Sequence, residues 1–329
     1  MTNTGSPEYD IVIVGAGPAG LSAGLYAARA RRKTILFERK VTGGQISTTS
    51  DVENYPGFPD GVNGFDLAQN MQRQAEKFGL EMGYAEVTDV VFRADGARHL
   101  VKTTEGDYLA KAVILTGGAD HNKLGVPGEE RLTGFGVSYC ATCDAAFFKD
   151  MEVAVVGGGD AALDEGLFTT RYASKVSIIH RRDQLRASKI LQERAFANPK
   201  VEFVWNTVVE EIEGENAVER LRLRNVKTGE TSVLPVSAVF IFIGLTPNSD
   251  FLRGKLRLDS GGHVHVNLWM ETDVPGVFAA GDLRIDSARQ VVSAVGDGAT
   301  AAIRADHYIM NTFDHAAGAT AASGHTARA

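Results

Sequence analysis

An α/β architecture of two Rossmann-like, three-layer nucleotide-binding domains, one inserted into the other, is predicted by three observations. These are an internal repeat, glycine turns at the ends of β-rich runs, and two Pro/Gly-bearing crossings between the halves. Ile11–Glu38 reads IVIVGAGPAGLSAGLYAARARRKTILFE, and Val153–His180 reads VAVVGGGDAALDEGLFTTRYASKVSIIH, aligned without a gap 142 residues on. Each copy is a β-rich run, a glycine turn, a helical stretch and a second β-rich run, which is a βαβ unit written twice. Further strands end at glycine: Ala112–Leu115 before Thr116-Gly117-Gly118, Ala238–Ile243 before Gly244, and Gly276–Ala280 before Gly281-Asp282. Glycine there leaves room for a ligand at the carboxyl ends of a doubly wound sheet.

The crossings, Gly118–Pro127 and Gly244–Pro247, divide the chain. The expected organisation is a first domain from 1–120 and 247–315, a second from 121–246 nested within it, and a disordered small-residue tail over 316–329. Two sequential domains are the alternative that spacing leaves open.

The chain has 329 residues, 44% of them hydrophobic, enough for two packed cores. Acidic residues outnumber basic ones, 41 to 34. That argues against nucleic acid or an anionic membrane as the main partner, since both need a basic footprint. No apolar run reaches the ~20 residues of a membrane span. The start, MTNTGSPEYD, lacks the charged and apolar regions of a signal peptide. With only two cysteines, three positions apart, a cytoplasmic location is the simplest expectation.

In the first repeat, Gly15, Gly17 and Gly20, with Ala16, Pro18 and Ala19 between them, follow a strand and open a helix. The glycines serve the tight turn, the close approach of a pyrophosphate and helix–strand packing. Glu38 lies 23 residues past Gly15, where a carboxylate accepts hydrogen bonds from ribose hydroxyls. In the second repeat, Gly157, Gly158 and Gly159 precede Asp160, Ala161 and Ala162, with alanine at the third glycine position. In place of Glu38 stand His180, Arg181 and Arg182. Guanidiniums pair with a ribose 2′-phosphate that a carboxylate would repel, so this site should take NADPH rather than NADH. Arg186, four residues after Arg182, is expected on the same helical face. A solvated basic helix start is the bland alternative, but the offset from the glycine loop matches that of Glu38.

Cys140 and Cys143 form the only cysteine motif. Zinc would need further ligands of the usual spacing, and none is present. A redox dithiol explains the spacing best. Asp144 adjoins it and can exchange the proton that thiol–disulfide exchange requires, or cap the AAFF stretch, or both. Because Cys143 lies 14 residues before Gly157, the dithiol travels with the second nucleotide domain, leaving the flavin to the first. Nicotinamide and disulfide cannot share one flavin face at once, so rotation of the second domain about the crossings is expected. His99, His121, His263 and His265 are scattered and are read as surface or structural residues.

CATCD at 140–144, HRRDQLRA at 180–187, GGQI at 43–46, ENYPGF at 53–58 and FAAGDL with RQ at 278–290 resemble, in order and across 9–308, the low-molecular-weight bacterial-type thioredoxin reductases. The resemblance implies FAD in the outer domain, NADPH in the inserted one and a homodimer. It implies flavin contacts from Gly43, Gly44, Gln45 and Asn54, a ribityl contact from Asp282, and contacts from Arg289 and Gln290, the latter opening a helix. It implies that electrons pass as hydride from NADPH to FAD and on to the disulfide. Cys143 faces the flavin, Cys140 attacks the disulfide of thioredoxin, and Asp144 donates a proton. Departures from the pattern are Ala145 where glycine is usual, Tyr139 before the pair, and RIDSA at 284–288, which lacks a common aromatic. Rival readings are a ferredoxin-dependent relative, flavin–NADP chemistry without a dithiol, and a non-turnover FAD/NADP sensor.

Overall fold

The computed structural model describes residues 6–49, 52–93 and 97–314; the side chains of Thr48 and Cys143 lie outside that description, as does the tail over 316–329. The chain divides into two compact units, one built from 1–120 and 247–329 and the other from 121–246.

The first unit opens with β1 (Glu8–Val14), α1 (Pro18–Arg29) and β2 (Thr34–Glu38). Next come α2 (Gly64–Glu76), β3 (Glu81–Tyr84), β4 (Val87–Val91), β5 (His99–Thr103) and β6 (Gly106–Leu115). The strands lie in the order β3-β2-β1-β6-β5-β4. Pairing is parallel from β3 to β6 and antiparallel over β6, β5 and β4. Both faces of β1 are buried: Ile11 and Ile13 pack with α1, while Val12 and Val14 enter a second core with Phe37 and Val113. Burial on both sides explains why this strand reads as an unbroken apolar run.

The chain leaves through β7 (Ala119–His121) and enters the second unit at β8 (Val137–Ser138) and the short helix α3 (Ala141–Asp144). Then follow β9 (Glu152–Gly157), α4 (Asp160–Thr169), β10 (Lys175–His180), α5 (Lys189–Ala197) and β11 (Val201–Trp205). An antiparallel layer of β12 (Thr207–Glu213), β13 (Arg220–Asn225) and β14 (Thr231–Pro235) precedes β15 (Ala238–Phe242). The parallel sheet is ordered β11-β10-β9-β15-β8. The chain returns through β16 (Leu245–Pro247), which pairs with β7, so the two crossings run as a two-stranded ribbon. β17 (Val277–Ala279) then adds to β6, and α6 (Val291–Ile309) closes the first unit over α1.

The two βαβ units differ at the third glycine position. A Cβ on Gly20 would stand 1.9 Å from the Gly15 carbonyl oxygen, a backbone contact that cannot yield. At the matching place, Ala162 is buried and carries its methyl natively. The first loop is therefore drawn tighter onto its helix than the second.

Candidate functional site

In the first unit, Gly15 turns the chain at φ +104, and a Cβ there would meet the Thr116 carbonyl oxygen at 2.5 Å. Gly17 occupies the N-cap of α1 with open space above it, and Pro18 starts the helix with no amide hydrogen to satisfy. The free amides of that first turn and the helix dipole form an anion seat. Glu38 reaches over the loop: the amides of Ala16 and Lys40 donate to its two carboxylate oxygens at 2.8 and 2.9 Å. Each oxygen keeps a further lone pair for a ribose hydroxyl.

Other predicted residues gather in the same unit. The Gly43 amide donates to the Ala16 carbonyl at 2.8 Å, tying the GGQ segment to the loop. Gly43 and Gly44 both have left-handed φ, and a Cβ on Gly44 would lie 3.4 Å from Gly17 Cα. Gln45 Nε2 donates to the Ala119 carbonyl at 2.9 Å. Asn54 Nδ2 donates to Gln290 Oε1 at 2.9 Å, and Gln290 is the N-cap of α6. Asp282 sits on the turn after β17, where burial pushes its carboxyl above the usual range; Ser287 Oγ donates to it at 3.0 Å. Arg289 is exposed, with φ +55.

Sequence reasoning missed the brace beneath Asp282. Asp297, buried on α6, takes the Arg284 guanidinium at 2.7 and 3.0 Å and the Gly281 amide at 3.2 Å. Arg284 and Asp297 are 13 residues apart and show no local pattern, so no spacing rule would have paired them. This donor set fits an adenine–flavin dinucleotide: an open helix N-terminus, a carboxylate at a strand end, and a half-buried aspartate held in place.

In the second unit, Gly157 turns at φ +151, and Gly159 is the N-cap of α4 with open space above it. Asp160 and the exposed Ala161 open the helix, and Asp160 Oδ1 accepts the Ser188 amide at 2.5 Å. His180 is buried beneath the loop: a Cβ on Gly158 would strike its ring at 2.4 Å. Burial, reinforced by the nearby arginines, lowers its pKa, and the neutral ring's Nε2 meets the Gln184 carbonyl at 3.1 Å. It braces the loop from below rather than presenting a cation.

The expected helical relation between Arg182 and Arg186 does not hold. Residues 181–188 form a loop, and α5 starts at Lys189. Long-range backbone bonds hold that loop instead, with the amides of Arg186 and Ala187 both donating to the Gly158 carbonyl at 2.7 and 3.2 Å. Arg181, Arg182 and Arg186 are exposed, and no carboxylate among the described residues pairs with them. The one acid in their loop, Asp183, is drawn to Lys227 Nζ at 2.6 Å. The guanidiniums therefore remain free for an anion, and this set fits NADPH.

Cys140 is disulfide-bonded; the side chain of Cys143 lies outside the described residues. Ser138 Oγ accepts the Cys140 amide at 3.0 Å and donates to its carbonyl at 3.1 Å. The Asp144 amide donates to the Cys140 carbonyl at 3.2 Å. Asp144 stands at the N-cap of the 3₁₀ turn Ala145–Phe148 but makes no capping bond from its side chain, leaving its carboxyl uncommitted there. The Tyr139 hydroxyl donates to buried Glu129 at 2.7 Å, and burial raises its pKa. The His121 ring stacks on Tyr139 at 6.2 Å. No cluster among the described residues could hold a metal ion, and no helix there is long and apolar enough to cross a membrane.

A family model described as pyridine nucleotide-disulphide oxidoreductase matches residues 9–298. The thioredoxin reductase of Peptoclostridium litorale is 50% identical over 311 residues, covering 93% of this chain and 98% of that protein. That of Bacillus subtilis is 49% identical over 303 residues, covering 92% and 95%. The crystal structure of Lactococcus lactis thioredoxin reductase matches with a TM-score of 0.89 at 42% identity, covering 92% of this chain and 99% of that one.

Proposed function

The chain belongs to the pyridine nucleotide-disulphide oxidoreductase family, standing with its low-molecular-weight thioredoxin reductases, and from that premise we propose how its own residues carry out NADPH-dependent reduction of thioredoxin. Bound FAD supplies the relay that passes an electron pair between nicotinamide and disulfide.

The amides of Gly17 and Ala19, with Pro18 fixing the start of α1 between them, hold the FAD pyrophosphate, Glu38 its ribose and Asp282 its ribityl chain. Gly43, Gly44, Gln45, Asn54, Arg289 and Gln290 line the remainder. In the inserted unit, the first turn of α4 over Gly159, Asp160 and Ala161 holds the NADPH pyrophosphate. Arg181, Arg182 and Arg186 grip its 2′-phosphate. Cys143 is the sulfur that takes electrons, Cys140 attacks the disulfide of thioredoxin, and Asp144 supplies the proton.

Gly118 and Gly244, both at left-handed φ, give the crossings the freedom to let the inserted unit turn between these tasks. A homodimer and a cytoplasmic location complete the reading, the latter supported by the chain's only two cysteines forming a redox motif.

One observation carries the proposal: disulfide-bonded Cys140 and an anion-ready loop with three free guanidiniums occupy one inserted unit. The FAD-loaded protein should oxidise NADPH over many turnovers with thioredoxin as acceptor, releasing two thiols per NADPH. The rate should collapse when the two units are covalently crosslinked. Stopping after one equivalent would mark a sensor, and full speed in the crosslinked protein would refute the turning motion.

A further inference from the structure

Glu165, on the buried side of α4, points at the dithiol turn. Its Oε2 accepts the Thr142 amide at 3.2 Å and the Thr142 hydroxyl at 3.4 Å, and the Ala141 amide also bonds to the carboxylate. Ala141 and Thr142 are the two residues between Cys140 and Cys143. Their amides open the short helix α3, directly after Cys140, and both are held by the Glu165 carboxylate.

We propose that Glu165 is a positioning residue for the dithiol: its carboxylate holds the turn between the cysteines by its amides and sets a negative charge against a thiolate on Cys140. This rests on the assigned role of Cys140 and Cys143 and goes beyond it, because it fixes the direction in which the pair is poised. Reduction breaks the S–S bond, delivers two electrons from NADPH and, after uptake of one proton, leaves one thiol and one thiolate. A carboxylate held at the turn between the two cysteines repels that thiolate. The dithiol is thereby made a stronger reductant, which favours passing electrons on to thioredoxin.

Burial, with Asp164 beside it, pushes Glu165 up to about 7, so the charge is gained or lost near neutrality. The titratable and charged residues on the elements packed against α4 are Cys143, once reduced, and Asp144 on α3, Lys189, Glu193 and Arg194 on α5, Glu152 on β9, and Lys175 and His180 on β10. β15 carries none. The largest charge effect on Glu165 comes from Asp164 on its own helix.

The test is Glu165→Gln, which keeps an acceptor for the amides and removes the charge, with Glu165→Asp as the charge-retaining control. Dithiol and disulfide are equilibrated with glutathione redox buffers and counted by thiol alkylation. At pH 8, Glu165→Gln should shift the equilibrium toward the dithiol by roughly tenfold, about 30 mV, and lower the pH midpoint of Cys140 alkylation. At pH 6, where Glu165 is protonated, the two proteins should converge. Glu165→Asp should stay near the unaltered protein. Equal potentials at pH 8, or a difference of the same size at both pH values, would overturn the proposal. Should Glu165→Gln fail to fold, carboxylate NMR of the unaltered enzyme decides. A glutamate titrating near neutrality should move upward on reduction of the pair, and one indifferent to oxidation state would refute the coupling.

Discussion

Replacing Cys143 with serine should reduce thioredoxin turnover by roughly 10³-fold or more, while NADPH continues to bleach the bound flavin at the rate of the unaltered protein. The chain has only two cysteines, so no other sulfur can take over. A serine hydroxyl can form neither the disulfide nor the mixed disulfide through which exchange runs. Neither nucleotide loop contains a cysteine: Gly15 through Gly20 belong to the other unit, and the second loop runs from Gly157, the last residue of β9, to Ala162. Flavin reduction measured at its visible band, beside NADPH consumption with thioredoxin present, separates the two half-reactions. Sustained turnover in the variant would mean electrons leave by another route.

Replacing Arg181 and Arg182 together with alanine should raise the KM for NADPH by roughly 30- to 100-fold, with little effect on that for NADH. A hydrogen bond to a charged group contributes about 1.5–3 kcal/mol, and solvent screening at these exposed side chains holds the two together to about 2–2.7 kcal/mol, less than two such bonds would give unscreened. The specificity reading depends on the guanidiniums being free of protein carboxylates, as the Asp183–Lys227 pair leaves them. Initial rates with each nucleotide decide the matter. Equal losses with NADPH and NADH would show that the arginines support the loop rather than read the phosphate, and no loss would place the 2′-phosphate elsewhere. His180→Ala is not equivalent, because that ring is buried under Gly158 and its removal undermines the loop itself.

Much of this was legible because βαβ units are local objects. The strand, the glycine turn, the helix and the acidic or basic end of the second strand all fall within about 30 residues. Their order therefore carries the geometry, and Glu38 and Gly17 could be named from offset alone. What escaped the sequence depends on contacts across longer distances. The segment after His180 has helix-compatible composition, yet its amides are claimed by the Gly158 carbonyl, and the helix is delayed to Lys189. Asp144 has the residue type of a cap, but the backbone enters a 3₁₀ turn without using its side chain. Arg284 and Asp297 meet only because the turn after β17 lies against α6. Glu165 reads as one of two adjacent acids on a helix, and its partner Thr142 lies 23 residues earlier in another element. The antiparallel layer β12–β14 has no glycine-loop signature, so nothing in the nucleotide motifs announces it.

The central claim is that electrons cross from bound flavin to the Cys140–Cys143 pair. Anaerobic titration of the FAD-loaded protein with NADPH, followed by alkylation of the quenched samples, tests it most directly. Full reduction should take two electron pairs per chain, one for the flavin and one for the disulfide, and should expose two alkylatable thiols, the whole cysteine content of the chain. A flavin fully bleached by a single pair, with no thiol released at any point in the titration, would contradict the account.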